Sequence, residues 1–144
     1  MSHSYVQNNI HLVFSTKERR KTISQQMQMR LWKYVAAVGR QNGILIHQVG
    51  GMEDHIHILL QLPAVLSLAK AVLVLKAYPS KWMGKKFAWQ KGYAAFSVSA
   101  SNVPAVRKYI QNQQHHHRKM GFDQEIVALL EKHGVEYDPK YLYG

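Results

Sequence analysis

Residues 55–62 have the sequence HIHILLQL, and the alternation of side chains in this stretch is the strongest indication of the fold. Side chains alternate between the two faces of a β-strand, so the isoleucines at 56 and 58 share one face while His55 and His57 share the other. The apolar face needs a covering layer, which helices would provide. We therefore predict a strand whose two imidazoles stand together on the open face of a sheet.

Three further stretches predict strands that can pair with this one. Residues 9–16 alternate between polar and apolar side chains, and residues 44–49 and 93–99 are short runs that follow a glycine. Gly50-Gly51 predicts a tight turn, so the strand before it and the strand at 55–62 should form a hairpin.

Four stretches predict helices from apolar residues at helical spacing and from capping residues. Ser24 begins the first, either Ser101 or Asn102 begins the third, and Asp123 begins the last. Pro79 should end or kink the second. The predicted helices span residues 24–43, 66–78, 102–119 and 123–134.

The element order, β-α-β-β-α-β-α-α, is that of the ferredoxin-like α+β fold, the split βαβ arrangement that RNA-recognition modules (RRM) share. We predict an antiparallel sheet with helices on one face, followed by a C-terminal helix that carries Tyr109. A length of 144 residues fits one domain, residues 1–144.

The composition excludes several classes of protein. The chain has no cysteine, which excludes a disulfide framework, a thiolate zinc site and a cysteine nucleophile. It has no run of ~18 apolar residues and does not begin like a secretory signal peptide. We therefore expect a cytoplasmic protein with no membrane segment.

The charge distribution predicts a polyanionic partner. Lys and Arg number 19 against 8 Asp and Glu, a formal net charge of +11. Residues 55–122 contain no Asp or Glu but hold eight lysines and two arginines. A basic stretch of this kind is typical of nucleic-acid binding, although a generally basic protein without such a partner is the simpler alternative.

Two pairs of residues could carry chemistry. The imidazoles of His55 and His57 on one strand face suit a divalent metal ion. Tyr109 and Gln113 are four residues apart on a predicted helix and so project in one direction. A glutamine carbonyl can be a third metal ligand, and a phenol beside it can be a nucleophile. The alternatives are hydrogen-bonded strand histidines, an interface tyrosine and a solvated glutamine.

Other residues near these pairs have less certain roles. Residues 115–117 are three histidines, and neighbours on a helix point in different directions, so we expect one of them at the site and the others on the surface. Asp54 is either an alternate metal ligand or, as we expect, a residue that orients a histidine. Trp82, Phe87 and Trp89 lie among lysines, where they could stack on bases or, for two of them, close the core.

Four segments in this order resemble the single-tyrosine transposases of the insertion-sequence 200/605 family, within the His-hydrophobic-His (HUH) endonuclease superfamily. They are HLVFSTK at 11–17, DHIH at 54–57, GYAAFSVS at 92–99 and VRKYIQNQ at 106–113, with the histidines after it. Pro79 departs from the uninterrupted second helix expected in that family.

The resemblance implies a mechanism. His55, His57 and Gln113 would bind Mg²⁺ or Mn²⁺, and Tyr109 would attack a single-stranded DNA phosphodiester. This leaves a 5′-phosphotyrosine link and a free 3′-hydroxyl. Family members recognise a small hairpin at the element ends and work as homodimers. In several of them the tyrosine helix of one subunit completes the site of its partner.

Six basic residues are expected to contact the DNA. Arg107 and Lys108 flank the tyrosine and could hold a phosphate. The others are Lys85, Lys86, Lys91 and Arg118.

Three alternatives to a mobile-element transposase stay open. A domesticated relative that binds or nicks repeat hairpins in a host genome would have the same catalytic residues. A non-catalytic RRM-like module is suggested by residues 91–94, KGYA, which match the start of an RNA-recognition signature that then fails at Ala95. A zinc hydrolase acting on small molecules is the least favoured, because the acid-free stretch offers no carboxylate base.

Overall fold

The computed structural model describes residues 3–144 and has one four-stranded sheet. The strand order is β2-β3-β1-β4, and each neighbouring pair is antiparallel. The strands are β1 (Asn9–Ser15), β2 (Leu45–Gly51), β3 (His55–Gln61) and β4 (Ala94–Val98). The helices are α1 (Gln25–Gln41), α2 (Leu68–Met83), α3 (Val103–Gln111), α4 (Gln113–His116) and α5 (Phe122–Lys132). This is the predicted ferredoxin-like α+β fold.

The first face of the sheet is an apolar core beneath α1 and α2. Alternate residues of β1 and β3 point into it, and Leu12, Phe14 and Ile58 are fully buried there. Leu31 and Val35 of α1 and Leu75 of α2 pack against them. The period-2 pattern of the strands and the helical spacing of α1 therefore meet in one core, as predicted.

The second face, which carries the histidines, is not open as predicted but is covered by α3, α4 and α5. His55 and His57 have no exposed surface. The reason is that this face also carries apolar residues: Val13 and Phe96 pack against α5, and Leu59 packs against Ile110 of α3. Amphipathic helices at the end of the chain cover this second apolar surface, and the histidines are buried with it.

Helix α2 was predicted to end or kink at Pro79, and it does not end there but continues to Met83. Proline removes one backbone donor from a helix and crowds the preceding turn. Here Pro79 is buried against the core, so packing offsets the lost bond. The helix ends at Gly84, whose φ of 115° strongly favours glycine.

The other differences from the predicted elements lie at turns. The predicted helix at 102–119 is broken at Asn112, where φ is −97° and ψ is 22°. The N-cap of α5 is Gly121, and Asp123 lies in its first turn. The predicted turn residues, Gly50 and Gly51, both belong to β2. A Cβ on Gly50 would lie 2.7 Å from the Ile110 carbonyl oxygen, so glycine lets α3 lie close against β2. This approach positions the helix that carries Tyr109.

A candidate metal and nucleophile site under the C-terminal helices

The two histidines of β3 are each held through one ring nitrogen. His55 Nδ1 lies 2.8 Å from Asp54 Oδ1, and His57 Nδ1 lies 2.8 Å from Nε2 of His11 on β1. His55 Nε2 faces Gln113 of α4 and Glu125 of α5, and His57 Nε2 faces Glu125. Asp54 therefore orients a histidine, as expected, and His11 is a partner that the sequence did not reveal.

Two oxygen atoms face the paired Nε2 atoms. Gln113 Oε1 lies 2.9 Å from His55 Nε2. Glu125 Oε1 lies 3.3 Å from His55 Nε2 and 3.1 Å from His57 Nε2. Within residues 3–144, His55, His57 and Glu125 form a group whose ligand atoms are close enough to bind one metal ion. The structure thus brings the three predicted ligands together and adds a carboxylate.

The hydrogen-bond chemistry of His55 fits a cation at this point. A carboxylate only accepts, so Nδ1 of His55 has to donate its hydrogen to Asp54. A neutral ring then has a lone pair on Nε2, and that lone pair faces the oxygens of Gln113 and Glu125. Only a proton on Nε2 or a metal ion between these atoms makes the contacts favourable.

The pKa values of His55, His57 and Glu125 are shifted by burial and by their contacts with one another. Burial works to lower the pKa of His55, but hydrogen bonds to Asp54 and Glu125 outweigh it and raise that pKa to about 9. Burial lowers the pKa of His57 in spite of the Glu125 carboxylate. Burial would raise the pKa of Glu125, but His57, His117 and His55 together hold it well below its usual range. Glu125 is therefore anionic in this cluster.

Tyr109 joins the cluster through Glu125. Its hydroxyl donates a hydrogen bond to Glu125 Oε2, and the Gln113 side-chain amide donates to the same oxygen over 2.9 Å. Its ring packs edge-on against His57. Burial, followed by the Glu125 charge, raises the pKa of Tyr109, so the phenol is held neutral next to an acceptor for its proton. Despite the break at Asn112, Tyr109 and Gln113 point to one place, as predicted.

Sequence reasoning missed Glu125, although a signal exists. In α5 it lies among Phe122, Ile126 and Leu130, which form the buried stripe of an amphipathic helix. An acidic residue on such a stripe has to be paired. A zinc hydrolase was the least favoured alternative because the acid-free stretch offers no carboxylate base. Glu125 comes from outside that stretch and reaches the site, so this reason no longer holds.

Of the three histidines at 115–117, one faces the cluster, as expected. His117 Nε2 lies 3.0 Å from Glu125 Oε1 and 3.1 Å from Gln113 Oε1. His116 is half-buried and packs against the ring of Tyr109. His115 is exposed.

The basic residues expected at DNA are all exposed. Arg107 and Lys108 lie on α3 beside Tyr109, and Arg118 follows His117. The other three, Lys85, Lys86 and Lys91, lie between α2 and β4.

The aromatic residues among these lysines mostly serve the core. Phe87 and Trp89 are buried, which confirms that two of the three close the core. Trp82 is partly exposed and stacks on Tyr34. An RRM-like module binds bases on an open sheet face, and here both faces are covered, which disfavours the alternative suggested by residues 91–94.

A ferredoxin-like sheet whose covered face holds a candidate metal site beside a tyrosine is consistent with one class of DNA-processing enzymes, the IS200-like transposases. The chain belongs to that family: residues 4–113 match the family model for transposases of the IS200-like type. This confirms the resemblance found in the sequence. Helix α5 lies beyond the matched residues.

Individual relatives agree with this assignment. The chain is similar to the ISDra2 transposase TnpA of Deinococcus radiodurans, with 26% identity over 116 residues, which cover 72% of this chain and 81% of that protein. A crystal structure of a transposase from Deinococcus radiodurans R1 superimposes with a TM-score of 0.62 and 22% identity, covering 78% of this chain and 96% of the other.

A second solved structure has the same fold. It is a REP-associated tyrosine transposase bound to a REP hairpin, with a TM-score of 0.62 and 18% identity, covering 81% of this chain and 73% of that one. Within residues 3–144 of the present chain, no helix is long and apolar enough to span a membrane.

Proposed function

We propose that this chain cleaves and rejoins single-stranded DNA through a covalent 5′-phosphotyrosine intermediate on Tyr109, in a reaction that depends on a divalent metal ion. His55, His57 and Gln113 would hold Mg²⁺ or Mn²⁺. The observation that carries the proposal is that the Tyr109 hydroxyl and the metal-binding histidines contact opposite oxygens of one carboxylate, Glu125.

The proposed cleavage step can be written with Tyr109, Glu125 and water. The Tyr109 hydroxyl oxygen forms a bond to phosphorus, and the bond from phosphorus to the 3′ oxygen breaks. The phenolic proton leaves along its hydrogen bond to Glu125 Oε2 and passes on to water, because the lowered pKa of Glu125 keeps that carboxylate ionised. The 3′ oxygen takes up a proton from water and leaves as a hydroxyl. A bound divalent ion supplies charge neutralisation for the non-bridging phosphate oxygens.

The covalent link allows rejoining. Because the phosphate stays on Tyr109 as an ester, a free 3′-hydroxyl can attack it and restore a phosphodiester without an added energy source. The raised pKa of Tyr109 keeps the phenol protonated, so its action as nucleophile and as leaving group would need the positive charge of the bound ion nearby.

An approach for the DNA strand exists beside Tyr109. The cluster itself is buried, but Tyr109 and Glu125 also line a cavity of about 450 Å³, together with Lys119 and Lys132. The two lysines can attract a phosphate backbone to the tyrosine. We propose that the scissile phosphate reaches the hydroxyl through this cavity.

Hairpin recognition and assembly are also part of the proposal. The basic stretch at 55–122 supports a nucleic-acid partner, and the neighbouring structure with a REP hairpin supports a folded DNA element as that partner. We propose a homodimer, as the resemblance implies, in which residues 1–144 of each subunit act as one domain. Because Tyr109 contacts His57 and Glu125 of its own chain, we propose that each subunit holds a complete site.

A second candidate function uses the same site on host DNA. A chain that nicks repeat hairpins in a host genome, without moving itself, is favoured by the likeness to the REP-associated transposase. The DNA around the coding sequence separates the two: paired hairpins flanking it favour a mobile element, and dispersed copies elsewhere favour the domesticated enzyme.

The experiment is a covalent-adduct assay. The protein is incubated with single-stranded DNA from the sequence flanking its gene, with Mn²⁺ or with EDTA, and run on a denaturing gel. We expect a slower protein–DNA band with Mn²⁺ only, and none with Tyr109→Phe. The matched control is Tyr78→Phe, an exposed tyrosine of α2, which should form the band normally. A band with Tyr109→Phe would contradict the proposal.

A further inference from the structure

We propose that His11 positions His57 for metal binding by exchanging hydrogen-bond roles with it. His11 accepts the Nδ1 hydrogen of His57 when His57 Nε2 binds the metal ion, and it donates to that Nδ1 when no ion is bound. His11 does not touch the ion itself. This role deepens the proposed function, because it rests on the metal site that includes His57. It also gives a use to a buried histidine of β1 that the proposed cleavage step leaves out.

The pairing of β1 with β3 brings the two rings together. Val13 of β1 lies opposite His57 of β3, and His11 lies opposite Leu59, so the two histidines are diagonal neighbours on the second face of the sheet. His11 Nε2 is 2.8 Å from His57 Nδ1, which is a normal hydrogen-bond distance. The partner of His57 Nδ1 is therefore fixed by the backbone of two neighbouring strands.

Both rings are buried and neutral. His11 is 4% exposed and His57 has no exposed surface. Burial is the largest of the effects that lower the pKa of each ring, so neither ring is charged near neutral pH. A neutral imidazole has one N–H donor and one acceptor nitrogen. The contact therefore contains a single hydrogen, which one ring donates and the other accepts.

Two arrangements of the hydrogens satisfy this contact, and they differ in what His57 Nε2 can do. If His11 donates, His57 has its hydrogen on Nε2, and that nitrogen donates to Glu125 Oε1 over 3.1 Å. If His57 Nδ1 donates to His11, then His57 Nε2 has a lone pair, as a metal ligand must. Only the second arrangement lets His57 bind an ion.

Metal binding at His57 therefore requires a change from the first arrangement to the second. The hydrogen of His57 Nε2 is lost to water, and the hydrogen between the rings moves to His57 Nδ1. His11 Nδ1 then takes up a hydrogen from water. Each ring has one hydrogen on nitrogen before and after the change, so neither ring changes its charge. His11 permits this change because one imidazole nitrogen can either donate or accept, whereas a carbonyl or carboxylate oxygen only accepts.

The comparison with His55 shows what this choice of partner provides. Asp54 only accepts, so the hydrogen of His55 stays on Nδ1. His11 instead lets His57 place its hydrogen on either nitrogen. Without an ion, His57 Nε2 can then donate to the buried carboxylate of Glu125, which would be costly to leave unpaired. With an ion, the same nitrogen becomes a ligand.

The first test measures Mn²⁺ affinity without DNA, from the electron paramagnetic resonance signal of free Mn²⁺. His11→Phe keeps a ring and removes both nitrogens, so we expect affinity to fall roughly 10–100-fold, as it does when the partner of a metal ligand is lost. His11→Gln has an amide that can donate or accept, and it should recover most of the affinity. His115→Phe is the matched control, because His115 is exposed, and it should bind Mn²⁺ like the wild type.

The second test observes the hydrogens directly in the wild type. Nitrogen NMR of labelled histidine distinguishes a ring nitrogen with a hydrogen from one with a lone pair. We expect the hydrogen of His57 on Nε2 without metal and on Nδ1 with Mg²⁺, which is not paramagnetic. A role of His11 in packing alone would not produce this exchange. The test needs no variant, so it decides the matter even if His11→Phe does not fold.

The outcomes separate the role of His11 from the proposed function. A folded His11→Phe protein with wild-type Mn²⁺ affinity would overturn this role, and so would a hydrogen that stays on the same nitrogen of His57 in both states. No Mn²⁺ binding by the wild type would overturn both this role and the metal dependence of the proposed function. Mn²⁺ binding with the expected exchange, in a protein that forms no DNA adduct, would support the role of His11 and contradict the proposed cleavage.

Discussion

Both faces of the sheet are buried beneath helices and both carry apolar side chains, but the second face also holds a buried polar cluster. Ile56 and Ile58 point to α1 and α2, into a core made of apolar residues. His55 and His57, on the same strand, point to the C-terminal helices and meet a carboxylate, an amide and a phenol. Burial of apolar groups stabilises a fold, whereas buried polar groups cost free energy unless each is paired.

The difference indicates that the first face serves mainly stability and the second mainly chemistry. Each apolar side chain buried on the first face contributes roughly 1.5–3 kcal/mol to folding. On the second face a cluster of titratable groups takes the place of some apolar side chains, so this face contributes less free energy of folding. A chain selected for stability alone would not need such a cluster. We therefore expect substitutions on the first face to change stability and substitutions on the second face to change chemistry.

His57→Ala should have the largest effect on activity. It removes a predicted metal ligand, so DNA cleavage in the adduct assay should fall below detection. Addition of Mn²⁺ should raise the melting temperature of the wild type and not that of the variant, because a ligand that binds only the folded state stabilises it. Metal-free stability should also fall, because the truncation leaves a cavity and removes the partner of buried His11, so cleavage is compared at equal amounts of folded protein. Full cleavage by the variant would contradict the assignment.

A mixing experiment tests whether one chain supplies the complete site on the second face. Tyr109→Phe and His57→Ala proteins are combined, denatured together and refolded so that subunits exchange. Because Tyr109 contacts the cluster of its own chain, every subunit of the mixture should lack one essential group and the mixture should stay inactive. Recovery of about a quarter or more of wild-type cleavage would instead show that the tyrosine helix acts on the partner subunit.

Ile58→Ala tests the first face. Ile58 is fully buried next to His57, so its truncation leaves a cavity and should lower the free energy of unfolding by about 2–5 kcal/mol. Urea denaturation measures this loss. The folded fraction should still form the covalent adduct, because no atom of the cluster is removed. A folded variant that binds no Mn²⁺ would mean that the two faces are coupled more tightly than their contacts indicate.

Lys108→Gln should have the smallest effect. If Lys108 neutralises one phosphate, DNA affinity should fall only a few-fold, and the slope of log affinity against log salt should decrease by about one. Filter binding at several salt concentrations measures both. Lys33→Gln is the control, an exposed lysine of α1 outside the basic stretch at 55–122, and it should leave the slope unchanged. An unchanged slope for Lys108→Gln would remove that residue from the DNA contact.

Local patterns explain why much of the fold could be predicted. The alternation in residues 55–62 and the helical spacing of α1 are periodic over a few residues, and β3 and α1 are found where these patterns predicted them. The helix through Pro79 was not predictable from the residue alone, because its burial against the core offsets a local penalty. The break at Asn112 depends on how the following segment packs over the sheet.

The candidate site was predictable only where its residues were close in sequence. His55 and His57 are two positions apart, and Tyr109 and Gln113 are four apart, so strand and helix geometry placed each pair. Glu125 is 68 positions from His57, and its arrival depends on the docking of α5. The covered second face likewise follows from tertiary packing, which no short pattern contains.

The most direct test of the account is to identify the residue that carries the DNA. The adduct formed with Mn²⁺ is digested with nuclease and trypsin and analysed by mass spectrometry. Trypsin cuts after Lys108 and after Arg118, so the peptide of residues 109–118 contains Tyr109 as its only tyrosine. The account predicts a 5′-phosphonucleotide on this peptide, formed with Mn²⁺ and absent with EDTA. A nucleotide on any other tyrosine, or equal yield with EDTA, would contradict it.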